Sequence, residues 1–356
     1  MPATDLADAA YRAALEERRY ADWFAAFIAS SDENQRQAEA AAAMLAGLKR
    51  RLPALFATSG AAPAMFLDLM CGPGEMTRAL KTALQKAGLP RLKACGLELR
   101  EDHAAHWRET MDAGDEVLVA DLATPGLDLS QTLRQMDQRR PAAITVSHGG
   151  YYLDPAGSEP ASAALAGLIR QAHDLVTDDG LVLTLHKDTE WTDILKRRFG
   201  NFVEADTTSA LHQIYAQLGI PHHALTFRCR LTIPEVDAAV RNRLTAERLE
   251  PYAAMEPGPA LKLRQIIEFL VHAPLESIGG GGDNLTARRQ LLACAESLGK
   301  VFGGAIPTFV NMIVSLPPRA AAGYARTFRI AAADVGEDLA EPGPSLPLLE
   351  ELARSL

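Results

Sequence analysis

From residue 64 onward, short apolar runs alternate with stretches whose apolar positions recur every three to four residues, the pattern of βαβ units in a parallel sheet. The runs predict strands over 64–69, 92–98, 116–122, 142–147 and 181–185, and two later ones over 223–233 and 309–316. Seven strands result. Between the first two, residues 75–87 predict a helix ended by Gly88 and Pro90. Ahead of the sheet, residues 5–52 place Trp23, Phe24, Phe27 and Ile28, then Met44, Leu45 and Leu48, at helical spacing. Two helices are predicted there, with Ser31 or Asp32 capping the second and Pro53 closing it. Residues 234–305 read mostly helical and are too long for a plain connection, so they are expected to form a helical layer over one end of the sheet. The four glycines at 279–282 read as a loop within that layer. Five prolines beyond residue 316 mark residues 317–356 as a loosely attached extension.

Charge narrows the partners. The 356 residues carry 36 Lys and Arg against 45 Asp and Glu, a net charge of −9. Neither nucleic acid nor an anionic membrane surface is an expected partner, because both require a basic face. A hydrophobic share of 48% and a charged share of 23% suit a globular chain. Cys71, Cys95, Cys229 and Cys294 form no CxxC pair, so neither a disulfide framework nor a structural zinc site is indicated. The acidic start and the absence of any apolar run near 18 residues point to a cytoplasmic protein. Oligomeric state is left open.

The segment from Met65 to Thr77 is the most informative. An apolar strand enters the turn Cys71-Gly72-Pro73-Gly74 and then an amphipathic helix, which puts the turn at the carboxyl edge of the sheet. Gly72 and Gly74 admit a ligand against the backbone, and the helix start offers free N–H groups. Thr77 stands where a dinucleotide fingerprint has its third glycine, which weakens a dehydrogenase reading. Asp68 precedes the turn, and Glu98 closes the next strand 24 residues beyond Gly74, close to the spacing of a carboxylate that accepts ribose hydroxyls. Asp121, with Leu122 beside it, is placed at the third strand end to meet an adenine amino group, and Ser147 closes the fourth strand.

These residues resemble the class I S-adenosylmethionine-dependent methyltransferases. The resemblance implies an α/β fold with a Rossmann-like seven-stranded sheet whose late strand is antiparallel, under a helical lid covering the substrate. It also implies S-adenosylmethionine as cofactor, held by Asp68, Gly72, Gly74, Glu98, Asp121, Leu122 and Ser147. The expected organisation is a helical cover at 1–57, a binding core at 58–233, a helical lid at 234–305, a last strand at 306–316 and the extension at 317–356. The flanks look like the histamine N-methyltransferase-like group. They share residues 23–35, the Gly-x-Gly-Glu loop 72–75, the pair Tyr151-Tyr152 and the Leu218-Gly219-Ile220 turn. That similarity implies Glu33 as a carboxylate gripping the substrate and places His148 where the group has a pocket glutamine. Glu204 falls near a pocket cysteine of the group. The group's asparagine near the last strand has no match at 303–305, so histamine is not the expected substrate.

Methyl transfer to nitrogen needs donor and acceptor held in line and a proton acceptor close by. His148 and His186 stand at the ends of the fourth and fifth strands, the edge where such chemistry belongs. His148, Tyr152 and His186 are the catalytic candidates. Glu33, His148, Tyr151 and Glu204 are the substrate-binding ones. His148 reads as base, substrate partner or metal ligand, and Tyr151 and Tyr152 as pocket wall or relay. The expected substrate is a small polar metabolite methylated on an amine, imidazole or guanidine nitrogen. One alternative has His148, His186 and Glu204 hold a divalent metal for C-methylation of a 2-oxo acid. Another is a non-catalytic protein that binds the same cofactor. The pair His222-His223 reads as a surface or turn feature.

Overall fold

A seven-stranded sheet organises the chain, in the order β3-β2-β1-β4-β5-β7-β6. The strands are β1 Ala64–Leu69, β2 Leu92–Glu98, β3 Glu116–Val119, β4 Ala143–Ser147, β5 Leu181–Asp188, β6 His222–Thr232 and β7 Ala305–Ser315. In this computed structural model the described residues are 18–51, 53–56, 63–124, 126–135, 139–149, 153, 159–188, 194–195, 207–233, 259–271, 274–275 and 284–317. Tyr151, Tyr152, Glu204, the glycine run 279–282 and residues 318–356 lie outside them. The first five strands pair in parallel, and β7 runs antiparallel to both β5 and β6. All six residues of β1 and all five of β4 are buried, as expected of central strands covered on both faces.

The described helices are α1 Arg18–Ile28, α2 Glu33–Arg51, α3 Glu75–Lys86, α4 Glu101–Thr110, α5 Leu129–Gln135, α6 Glu159–Leu175, α7 Thr207–Gln217, α8 Pro259–Val271 and α9 Asn284–Phe302. One face of the sheet, through Phe66, Leu183, Leu185 and Met312, packs on the small-residue stripe of α2 and on Leu80 and Leu84 of α3. The other, through Leu67, Val146 and Val182, packs on α5 and α6. Near β7, Leu211, Ile214 and Tyr215 of α7 complete that face. No described helix is long and apolar enough to cross a membrane.

Strand bounds differ from the sequence reading by more than one residue at three places. β3 stops at Val119 rather than Leu122, because β2, its one partner strand among the described residues, ends at Glu98 opposite Val119. β5 continues to Asp188 because β7 pairs with it through Phe309. β7 begins at Ala305, with Pro307 inside it. There β7 has outrun β5 and pairs with β6 alone, so one edge of Pro307 carries no ladder and its missing N–H is tolerated.

This two-stranded extension, Cys229–Thr232 of β6 against Ala305–Thr308 of β7, projects past the carboxyl ends of the parallel strands. A separate apolar core forms on it from Leu231, Ile233 and Ile306 with Trp23 and Phe27 of α1, Ile266 of α8 and Leu298 of α9. The Phe27 and Phe269 rings stack at 4.6 Å. Helices from both ends of the sequence thus form one cover standing over the carboxyl edge.

Candidate functional site

The strand order reverses between β1 and β4, so their carboxyl ends open the crevice in which folds of this type bind ligands. Backbone in the left-handed region gathers there: Met70 (φ 61°) after β1, Gly72 (55°), Gly74 (94°) and His148 (49°) after β4. Non-glycine residues in that region are uncommon and concentrate at functional sites.

Each glycine of the turn has its own reason. A Cβ at Gly74 would sit 2.9 Å from Cε3 of Trp107, a fully buried side chain on α4. Gly96, inside β2, would clash with Cys71 Sγ at 2.6 Å and with the same indole. These two let the turn close onto β2. At Gly72 a Cβ would meet nothing within 4 Å, so this α-carbon faces open space. The Cys71 N–H donates to Leu97 O at 3.1 Å, which ties the turn to β2.

Asp68 lies beneath the turn, 1% exposed. Thr145 Oγ1 donates to its Oδ1 at 2.6 Å and Thr77 Oγ1 donates to its Oδ2. Burial raises its pKa to about 6 against the opposing pull of the two hydroxyls. Thr77 therefore replaces the third glycine with a tether between α3 and β1, and Asp68 supports the turn from inside.

Glu98 closes β2 and is 7% exposed. The Gly72 N–H donates to its Oε2 at 2.8 Å and the Arg100 N–H to its Oε1 at 3.1 Å, so the carboxylate is aimed by two backbone amides. His103 Nδ1 lies 3.3 Å from Oε1, and the His103 ring meets Phe24 of α1 at 6.3 Å. The cover thus rests on residues that follow Glu98. Asp121 sits in the loop beyond β3, exposed, where its Oδ1 accepts the Ala123 N–H at 2.8 Å; Leu122 is half-buried against the α5–α6 side.

At the end of β4, Ser147 is buried and the His148 N–H donates to Leu185 O at 3.0 Å. The His148 ring reaches α2, with Nε2 3.2 Å from Glu33 Oε1 and 2.5 Å from Gln37 Nε2. Glu33 is held there by the turn before α2. Ser31 Oγ accepts the Glu33 N–H at 3.1 Å, which makes Ser31 the cap. Residues 30–32 also add to the edge of β6, through Thr232 N–H to Ser30 O at 2.8 Å and Asp32 N–H to Arg230 O at 3.0 Å. Burial first, and then the Glu33 and Asp32 carboxylates, push the Cys229 thiol up. Glu33 and Gln37 are 3% and 0% exposed. Gln37 escaped the sequence reading. Its spacing to Ala41, Met44 and Leu48, a polar residue on the apolar stripe of α2, was the available signal.

His186 goes elsewhere. It is buried on β5, and by strand alternation it shares the face of Thr184, whose hydroxyl meets Tyr215 Oη at 2.7 Å under α7. His148 turns to the α2 face. The two histidines expected to converge therefore leave the sheet on opposite sides. Among the described residues no three His, Cys, Asp or Glu side chains come together as a metal site. Level with His186 across the sheet are Asn311 and Thr226, whose Oγ1 donates to Asn311 Oδ1 at 2.5 Å. His222 lies at the opposite edge, bonded to Ile220 O at 3.1 Å and to His212 at 3.1 Å.

No protein-family model matches the chain, and no curated protein matches its sequence. Among solved structures it is similar to the YcgJ protein of Bacillus subtilis at 9% identity, over 76% of this chain and 97% of that one, with a TM-score of 0.41. A cyclopropane-fatty-acyl-phospholipid synthase-like protein of Lactobacillus casei is similar at 11% identity, over 79% and 92%, with a TM-score of 0.41. The plantazolicin methyltransferase BpumL, solved with a pentazolic desmethylPZN analogue and SAH, is similar at 10% identity, over 80% and 85%, with a TM-score of 0.37. These are likenesses of fold.

Proposed function

We propose that this protein is an S-adenosylmethionine-dependent methyltransferase acting on a nitrogen of a small polar metabolite that carries an amine, imidazole or guanidine. One observation carries the reading: the turn at the β1–β4 crevice whose Gly72 amide is bonded to the Glu98 carboxylate while its α-carbon faces open space. A side chain at 72 would fill a cradle fit for a nucleoside, and a carboxylate held in this way accepts paired ribose hydroxyls. When bound, S-adenosylmethionine supplies a methyl group on a cationic sulfur that a nitrogen displaces in line.

The chain's own residues do the rest. Glu98 orients the ribose, and Gly72 and Gly74 admit the donor to the backbone. Asp121, Leu122 and Ser147 border it, and Asp68 keeps the turn in place. His148 accepts the proton that leaves the nitrogen, and Glu33 faces it from the start of α2. Tyr151 and Tyr152 follow His148 and are assigned to the acceptor wall, with Glu204. α1 and α8 exclude water from above. Metal-assisted C-methylation gains no support from the side-chain placement, because His148 Nε2 is engaged by Glu33 and Gln37 and His186 occupies the other face.

Calorimetry of the full chain with S-adenosylmethionine and its demethylated product tests the reading. Both are expected to bind; binding of neither overturns it. His148→Ala is expected to retain donor binding and lose methyl transfer across a panel of small amines, imidazoles and guanidines.

A further inference from the structure

We propose that Met70 is a positioning residue: its side chain occupies the α5–α6 side of the exit from β4 and so holds His148 on the α2 side of the sheet. The role of His148 comes from the methyltransferase reading, on which this rests for its purpose; the geometry is independent of it.

Alternation along each strand says where these two side chains should go. On β1, Phe66 faces α2 and α3 while Leu67 and Leu69 face α5 and α6, so residue 70 falls due on the α2 side. On β4, Ile144 and Val146 face α5 and α6, so residue 148 falls due there. Both side chains are on the opposite face. Met70 packs with the cluster that holds Leu69 and Val146, and the His148 ring reaches Glu33 and Gln37 of α2. Each makes the change by leaving its strand in the left-handed region, Met70 at φ 61° and His148 at φ 49°. That backbone is costly for L residues and persists where the surroundings fix it. The two neighbouring strand ends exchange faces across the mouth of the crevice.

Contact at Gly149 enforces the exchange. A Cβ at Gly149 would lie 1.7 Å from Met70 Sδ, 2.6 Å from its Cγ and 2.7 Å from its Cβ, so the Met70 side chain lies along the backbone immediately after His148. Gly149 is buried and lies outside the left-handed region, so space rather than conformation calls for glycine there. The backbone at the two exits is tied outward: the Cys71 N–H donates to Leu97 O on β2 at 3.1 Å, and the His148 N–H to Leu185 O on β5 at 3.0 Å. Met70 reaches inward between them and fills the volume that the His148 ring would enter if it followed the alternation of β4. Standing two residues before Gly72, it also sets the base at a fixed offset from the donor cradle, which in-line transfer requires.

The test is nitrogen NMR of the full-length protein labelled at histidine and free of donor, with His148→Gln identifying the His148 ring signals. With the ring against α2, Glu33→Gln is expected to shift those signals. In a Met70→Ala background that response is expected to shrink at least about threefold, and Met70→Leu, which restores the bulk, is expected to retain it. An undiminished response in folded Met70→Ala protein overturns the proposal, as does the absence of any response to Glu33→Gln when Met70 is present. Should Met70→Ala not fold, Met70→Gly takes its place with the same expectation, since glycine suits the backbone at φ 61°. In calorimetry with S-adenosylmethionine, Met70→Ala is expected to keep donor affinity within about threefold while transfer to the panel of small amines, imidazoles and guanidines falls about 10–100-fold. A matching fall in donor affinity makes Met70 a donor contact and overturns the positioning role. The ring measurement uses no donor, so failure of the wild type to bind S-adenosylmethionine would overturn the methyltransferase reading alone.

Discussion

Gly72 and Gly74, two residues apart, should fail in opposite ways when given a methyl group. At Gly74 the backbone lies at φ 94°, and the new Cβ would be 2.9 Å from Trp107 Cε3, on an indole fixed by full burial. Left-handed backbone costs an L residue about 1–2 kcal/mol, and overpacking against a rigid neighbour adds about 1–3 kcal/mol. Gly74→Ala is therefore expected to lose about 3 kcal/mol in urea unfolding. At Gly72 the φ of 55° lies inside the ordinary left-handed region, and nothing is within 4 Å. Gly72→Ala should cost only about 1 kcal/mol. Its methyl group would, however, stand where the donor approaches the backbone, so calorimetry should show donor affinity down by at least about tenfold. Wild-type donor affinity in a folded Gly72→Ala protein would refute the placement of the donor. Equal destabilisation by the two substitutions would refute the account of the open space.

Three further outcomes can be checked. Burial holds the Asp68 carboxyl protonated up to about 6 while its unfolded counterpart titrates at 3.8, so its contribution to stability falls as pH rises through that window. Burial lowers His173 to about 4 against 6.5 unfolded, so its contribution falls as pH drops through a largely shared window. The two slopes oppose each other, and Asp68→Asn is expected to expose the His173 slope as a stability rise of about 3 kcal/mol between pH 4 and 6.5 in urea titrations; parallel profiles for variant and wild type would contradict this. Burial also raises the Cys95 and Cys294 thiols to about 12, so maleimide should label none of the four buried cysteines until urea unfolds the chain. Trp107→Ala should cost about 3–5 kcal/mol and weaken donor binding, because the indole is the surface on which Gly74 and Gly96 close; a stability change under 1 kcal/mol would argue against that packing.

The central strands were legible because burial on both faces writes an uninterrupted apolar run, as in β1 and β4. The ends were less so, since they depend on how far a partner extends: β3 stops with β2, and β7 runs past β5 with a proline inside it. Position at the carboxyl edge followed from the strand pattern for His148 and His186 alike. Direction did not, because His148 leaves the strand in the left-handed region whereas His186 keeps the alternation of β5. The pairing of Glu33 with His148 joins residues 115 positions apart and depends on the hook of residues 30–32 onto β6, which no local pattern encodes.

That hook also sets an order of assembly. The glycine turn and its carboxylate draw on residues 64–145, from the Gly72–Glu98 bond to the Thr145 hydroxyl on Asp68. The wall bearing Glu33 and Gln37 is fastened through Asp32 to Arg230, 198 residues later, so it cannot be completed until β6 has left the ribosome. During synthesis the half of the crevice assigned to the donor exists before the half assigned to the acceptor. Trp23 and Phe27, which cover that edge, gain partners later still, when Ile266, Leu298 and Ile306 have been made.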